Sequence, residues 1–95
     1  MGALRSGTRK TANNDAELEN IFSSFKNEKI TILMLAINYV NNPVFSVLGS
    51  TSGGTGCLIA YQSEGNYGSV LFFCYGVGIA KNDLVGGSWS GWTKI

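Results

Sequence analysis

Lys29-Ile30-Thr31-Ile32-Leu33-Met34-Leu35-Ala36-Ile37 is the stretch on which the fold turns. Its side chains alternate with a period of two: Ile30, Ile32, Met34 and Ala36 point one way, and Thr31, Leu33, Leu35 and Ile37 the other. Both sides are apolar from Ile32 onward. A strand that is apolar on both faces needs a cover on each. The chain has 95 residues, enough for one domain, and a domain of this size buries only roughly 60 to 65% of its unfolded surface. One cover therefore comes from a helix of the same chain, and the other is most easily a second subunit.

Upstream lies that helix. Asn14 is a capping residue, Glu17 completes a capping-box-like pair, and Asp15 and Glu17 suit the positive end of the helix dipole. Leu18, Ile21, Phe22 and Phe25 recur at helical spacing, which predicts one amphipathic helix over Asp15 to Lys26. Met1 to Ala12 carries no apolar period and reads as a flexible lead-in. Gly2 and Ser6 match the myristoylation pattern Met-Gly-x-x-x-Ser, but two fixed positions in six recur by chance, and no lipid is inferred.

Downstream, Asn41-Asn42-Pro43 ends the strand and Val44 to Leu48 is expected to return as another. Gly49 to Gly56 is a loop by composition; without the lysine of a P-loop or a following helix, it reads as a connector. Cys57 to Ser63 and Tyr67 to Gly76 form the clearest hairpin, closed by Glu64-Gly65-Asn66. A two-residue turn sets Cys57 opposite Cys74, whereas a three-residue loop sets it opposite Phe73; only the first register approaches a disulfide. The preferred reading keeps both cysteines reduced, as small apolar residues. The second hairpin strand is apolar on both faces and belongs near the sheet centre. Val77 to Lys81 reads as an edge-going strand, Asn82-Asp83 as a turn, and Gly86-Gly87 as the last joint.

Composition narrows the chemistry. The net charge is +1 and only 14% of residues are charged, with Arg5, Arg9 and Lys10 gathered at the start and no basic stripe, which argues against nucleic-acid binding. No apolar run is long enough to predict a membrane-spanning helix. The chain has no histidine and two cysteines, so neither a metal site, nor a histidine-activated nucleophile, nor a bound cofactor is expected. The acids lie on or beside the helix, except Glu64 and Asp83 in predicted turns, and they read as solvated rather than catalytic. An independent enzyme is not expected. What remains is aromatic and polar surface, and Tyr61, Tyr67, Tyr75, Trp89 and Trp92 are the candidate ligand-binding residues, since aromatic faces stack on sugars while amides and hydroxyls meet their oxygens.

The chain closes on Gly87-Ser88-Trp89-Ser90-Gly91-Trp92-Thr93-Lys94-Ile95, which holds both tryptophans. This ending resembles the C-terminal signature of bacteriophage and pyocin-type tail-fibre tips, knob-like domains that finish Trp-x-x-Trp and a few residues. The order of helix, strand and Gly-rich hairpins agrees over about Asn13 to Ile95. The resemblance implies the receptor-binding head of a homotrimeric fibre, at the distal tip of a virion or phage-derived tail, adhering to a bacterial surface glycan or protein. The alternative is a purely structural module that trimerises and caps a fibre. The expected fold is α+β, with the N-terminal amphipathic helix on a mainly antiparallel sheet of about five strands, in a domain over residues 13–95. The two tryptophans are expected to serve packing before adhesion.

Overall fold

The computed structural model describes residues 9–27, 30–63 and 66–95. Helix α1 (Asp15–Ser23) starts where its cap is written: Asn14 Oδ1 accepts the Glu17 N–H at 2.9 Å, and Glu17 Oε1 accepts the Asn13 N–H at 2.7 Å, one residue outside the position that a capping box uses. A 3-10 turn (Ser24–Asn27) carries the run on past the α-helix. Leu18, Ile21, Phe22 and Phe25 are all buried, so the predicted stripe is the packed one. Gly2 and Ser6 lie outside the described residues.

The end of the expected lead-in is structured instead. Arg9–Ala12 form strand β1, which pairs in parallel with β2 (Ile30–Ile37), from Arg9 opposite Met34 to Ala12 opposite Ile37. Three of its four residues are exposed and only Ala12 is buried, as befits a short edge strand, and so no apolar period betrays it. β1, α1 and β2 together make a parallel crossover.

The chain turns helical after β2. Of Val44 to Leu48, expected as a strand, Val44 to Val47 lie in a short helix, α2 (Pro43–Val47), and Leu48 is its C-cap. Asn42 is fully buried and decides the outcome: its Oδ1 accepts the Phe45 N–H at 2.7 Å, its Nδ2 donates to the Tyr39 carbonyl at 2.9 Å, and Pro43 fits the first helical turn. Val44 and Phe45 pay back this turn by burial in the core, which outweighs their strand propensity.

β3 (Gly54–Ser63) and β4 (Tyr67–Cys74) form the hairpin in the register of the three-residue loop, with Ser63 opposite Tyr67 and Cys57 opposite Phe73. Glu64 and Gly65 of that loop lie outside the described residues. Cys57 and Cys74 fall on opposite faces of the sheet and both are free thiols. β3 starts within the stretch read as a loop, and its glycines have a packing reason. A Cβ on Gly54 would stand 3.2 Å from the Phe45 ring, and one on Gly56 2.8 Å from the Phe72 ring, so these two rings sit on bare backbone.

β5 (Gly78–Val85) runs straight through Asn82-Asp83, where a turn was expected; the reversal comes at Gly86-Gly87, both at positive φ. β6 (Ser88–Trp89) and β7 (Thr93–Lys94) return along β5. The order is β1-β2-β3-β4-β5-β6 with β7 also on β5, seven strands among the described residues where about five are expected, the additional ones being short edge pieces. The fold is α+β, and among the described residues only the β1–β2 pair is parallel. Both helices pack on one face, over Leu33, Leu35, Ile37, Leu58, Ala60, Val70, Phe72 and Ala80. The other face has no covering layer among the described residues.

Candidate functional site

The Trp-Ser-Gly-Trp closure owes its geometry to one extra residue. Leu84 pairs with Trp89 and Lys81 with Thr93, so Asn82 and Asp83 on β5 face Ser90, Gly91 and Trp92 on the returning strand. That two-against-three count is a β-bulge. Residues three apart on a regular strand point to opposite faces. The bulge cancels this, and Trp89 and Trp92 both reach the helix-covered face. Their rings lie 6.2 Å and 5.3 Å from that of Phe22, tilted rather than stacked flat. Gly91 takes φ +111°, a conformation nearly closed to other residues. Its N–H donates to Asn82 Oδ1 at 2.9 Å, and the Ser90 N–H donates to the Asp83 carbonyl at 2.8 Å. Asn82 is therefore the clamp on the bulge.

Beside the tryptophans a groove runs the length of α1, with a volume of about 710 Å³, within the range of small-molecule sites. Leu18, Phe22, Trp89 and Trp92 give it apolar walls, Gln62, Asn82 and Leu84 its floor, and Asp15, Glu19, Asn20, Asn41 and Pro43 its rim. Asp15 and Glu19 stand one helical turn apart on α1 and so share a face. The Tyr39 hydroxyl donates to Asp15 Oδ1 at 2.5 Å. Burial, then this hydrogen bond and the charges of Asp15 and Glu19, hold the Tyr39 hydroxyl well above the ordinary tyrosine range. No lysine or arginine is among the described residues lining the groove.

The opposite sheet face is a second surface. Across β2 to β5, Met34, Cys57, Phe73 and Ile79 form one row, Ile32, Ile59, Leu71 and Lys81 the next, and Ile30, Tyr61, Ser69 and Asp83 a third. Ile30, Met34, Ile59, Tyr61, Tyr67, Leu71, Phe73, Ile79 and Val85 are each between 36% and 70% exposed. At roughly 200 Å² for a fully exposed large side chain, they present on the order of 900 Å² of apolar surface, beyond the roughly 300–600 Å² of the largest patch on a typical monomer. Among the described residues charge stands at the two edges of this face: Arg9 of β1 reaches over Met34, its Nη1 3.5 Å from Sδ, and at the other edge Lys81 Nζ lies 3.1 Å from Asp83 Oδ2, with the Ser69 hydroxyl donating to Asp83 Oδ1 at 2.5 Å. The Ser69 hydrogen bond, then Lys81, holds the Asp83 carboxyl below the usual range. This is a carboxylate with its oxygens engaged outside the groove; Glu64, the other acid set apart in the sequence, lies outside the described residues.

The five candidate residues are thus divided among three places. Trp89 and Trp92 meet in the groove, Tyr61 and Tyr67 stand on the bare sheet face, and Tyr75 projects at 95% exposure from the β4–β5 turn. Asn82, Asp15 and Glu19 were missed as site residues. The signal for the acids was their four-residue spacing on a predicted helix; Asn82 gave none, since asparagine beside aspartate reads as a turn. Comparison with protein-family models, with curated proteins and with solved structures gives no match to this chain.

Proposed function

We propose that the chain is the self-associating tip of a phage-type tail fibre, a non-catalytic homotrimeric head that adheres to a bacterial surface. The observation that carries this reading is the apolar face of β2–β5, left without a cover on the side opposite the helices. Its estimated area is of the size that one partner contributes to a standard interface, ~800 Å². The width also suits three-fold closure. Four strands at ~4.8 Å span about 19 Å. Three such faces around an axis each lie about 5.5 Å from it, near half the ~10 Å at which sheets pack face to face. In that arrangement Ile59, Leu71 and Phe73 fill the centre, while α1 and the tryptophan groove look outward. The resemblance of Trp89-Ser90-Gly91-Trp92 to tail-fibre tips supports the same reading, as does the low charge.

Light scattering of the purified chain tests it, with Leu71→Lys as the disruptive variant and binding to whole bacterial cells as the functional readout. A trimeric mass that falls to the monomer in the variant is expected. A monomeric wild-type chain would overturn the proposal, and a two-fold dimer would overturn the three-fold arrangement. A trimer that binds no cell would favour the alternative, a capping module that closes a fibre without touching a receptor.

A further inference from the structure

We infer that the groove between α1 and the Trp89–Trp92 bulge is a saccharide site selective for neutral or amino sugars against acidic ones. The inference deepens the adhesion reading and rests on it for the source of the ligand, a bacterial surface glycan. Three features carry it.

The first is the wall. Trp89 and Trp92 are half-buried, anchored through Phe22, and held on one side of the strand by the bulge. Rigid indoles offer the C–H face of a pyranose a large contact at low entropic cost. The second is the floor. Asn82 is only 6% exposed and lines the groove. The Gly91 N–H fixes its amide with Oδ1 toward the bulge, which leaves the Nδ2 donor, with no partner among the described residues, for an occupant. An amide donor at the floor of the groove beside aromatic carbon is chemistry that suits a hydroxyl oxygen and gives a purely apolar ligand nothing in return. The third is the sign of charge. Asp15 and Glu19 edge the groove with no basic residue among its described lining, so a uronate or phosphate entering it is repelled by both charges on the rim and finds no cation to offset them, whereas an ammonium is attracted.

A basic peptide shares the last feature. It is disfavoured because a groove no longer than α1, about 13 Å at 1.5 Å per residue, holds little extended backbone, and the strand edge beside it is only the two-residue β6 and the bulge that follows.

The chain's only tryptophans line the groove, so their fluorescence reports occupancy directly. Wild type is titrated with glucosamine, N-acetylglucosamine and glucuronate, and separately with trilysine; Glu19→Lys and Tyr61→Ser are carried alongside, and the mass of every sample is measured. Saturable change with the first two sugars and none with glucuronate is expected. Glu19, exposed on the helix, is replaced without touching the core; Glu19→Lys weakens glucosamine about fivefold and leaves N-acetylglucosamine nearly unchanged. Tyr61→Ser, on the opposite face, leaves both sugars unaffected. No saturable response to either sugar, glucuronate binding as well as glucosamine, or response to trilysine alone would each overturn the assignment. The two proposals fail separately: a trimer silent to sugars sinks only the groove, and a monomer that binds them sinks only the fibre tip.

Discussion

Gly91→Ala isolates the bulge that sets both tryptophans on one face. At φ +111° the backbone lies beyond the left-handed helical well near +57°, where a non-glycine residue is strained by roughly 1–3 kcal/mol. A Cβ built on Gly91 meets nothing within 4 Å, so the whole penalty comes from the backbone and none from a collision. Gly86 supplies the matched control: it also has open space around it, but at φ +60° it sits inside the left-handed well, where alanine costs only about 1 kcal/mol. Taking ~2 and ~1 kcal/mol, and 4–8 °C per kcal/mol for a domain of this size, Gly91→Ala melts about 10 °C below wild type and Gly86→Ala about 5 °C below. Melts followed by far-ultraviolet dichroism at one protein concentration keep any self-association fixed. If the bulge relaxes instead of bearing the strain, Trp92 swings toward solvent and its emission shifts to the red below the melt. A Gly91→Ala protein that melts with wild type, or no lower than Gly86→Ala, with unaltered emission, refutes the bulge as the device that orients Trp92.

Further outcomes follow from the same geometry. Trp92→Ala removes a half-buried ring from Phe22 and lowers stability by about 2 kcal/mol in urea unfolding, short of the 3–5 kcal/mol of full burial; because the ring lies on the helix side, the mass by light scattering stays that of wild type. Tyr39, whose hydroxyl is held above its ordinary value of 10.0, stabilises the fold fully below that value. Above it the unfolded chain loses the proton first, so this contribution fades as pH rises toward the folded-state value. Unfolding curves of wild type and Tyr39→Phe between neutral pH and pH ~11 separate it, since the variant lacks this component of the alkaline loss. Thiol titration of the unfolded chain returns two free thiols for Cys57 and Cys74. In the folded protein Cys57, on the bare sheet face, becomes slower to label as concentration rises, and Cys74, on the helix side, does not; equal behaviour would count against that face as the contact between copies.

Much of the architecture was legible because it rests on local signals. Asn14 and Glu17 write the start of α1, the period of two writes β2, and Glu64-Gly65-Asn66 marks the hairpin. The failures have a common cause. Val44 to Val47 carries a strand-like composition, but the buried Asn42 amide, tied to both Tyr39 and Phe45, makes it a helix. Asn82-Asp83 looks like a turn, but β4 on one side and the bulged closing strand on the other hold it in the sheet. Arg9–Ala12 is a strand only because β2 offers an edge in parallel.

The ligand-binding candidates illustrate the same divide. Residue type alone grouped three tyrosines with two tryptophans; position in the sheet separates them into a groove, a bare face and a turn. By itself the sequence determined that β2 is apolar on both faces and needs two covers, because side-chain alternation is a property of the strand and needs no neighbour. Only the tertiary structure decided which face the helices take and which is left bare. It alone brought Trp89 and Trp92 to the same side, because a bulge exists only relative to the strand it is paired with, and no stretch of sequence read alone contains its partner.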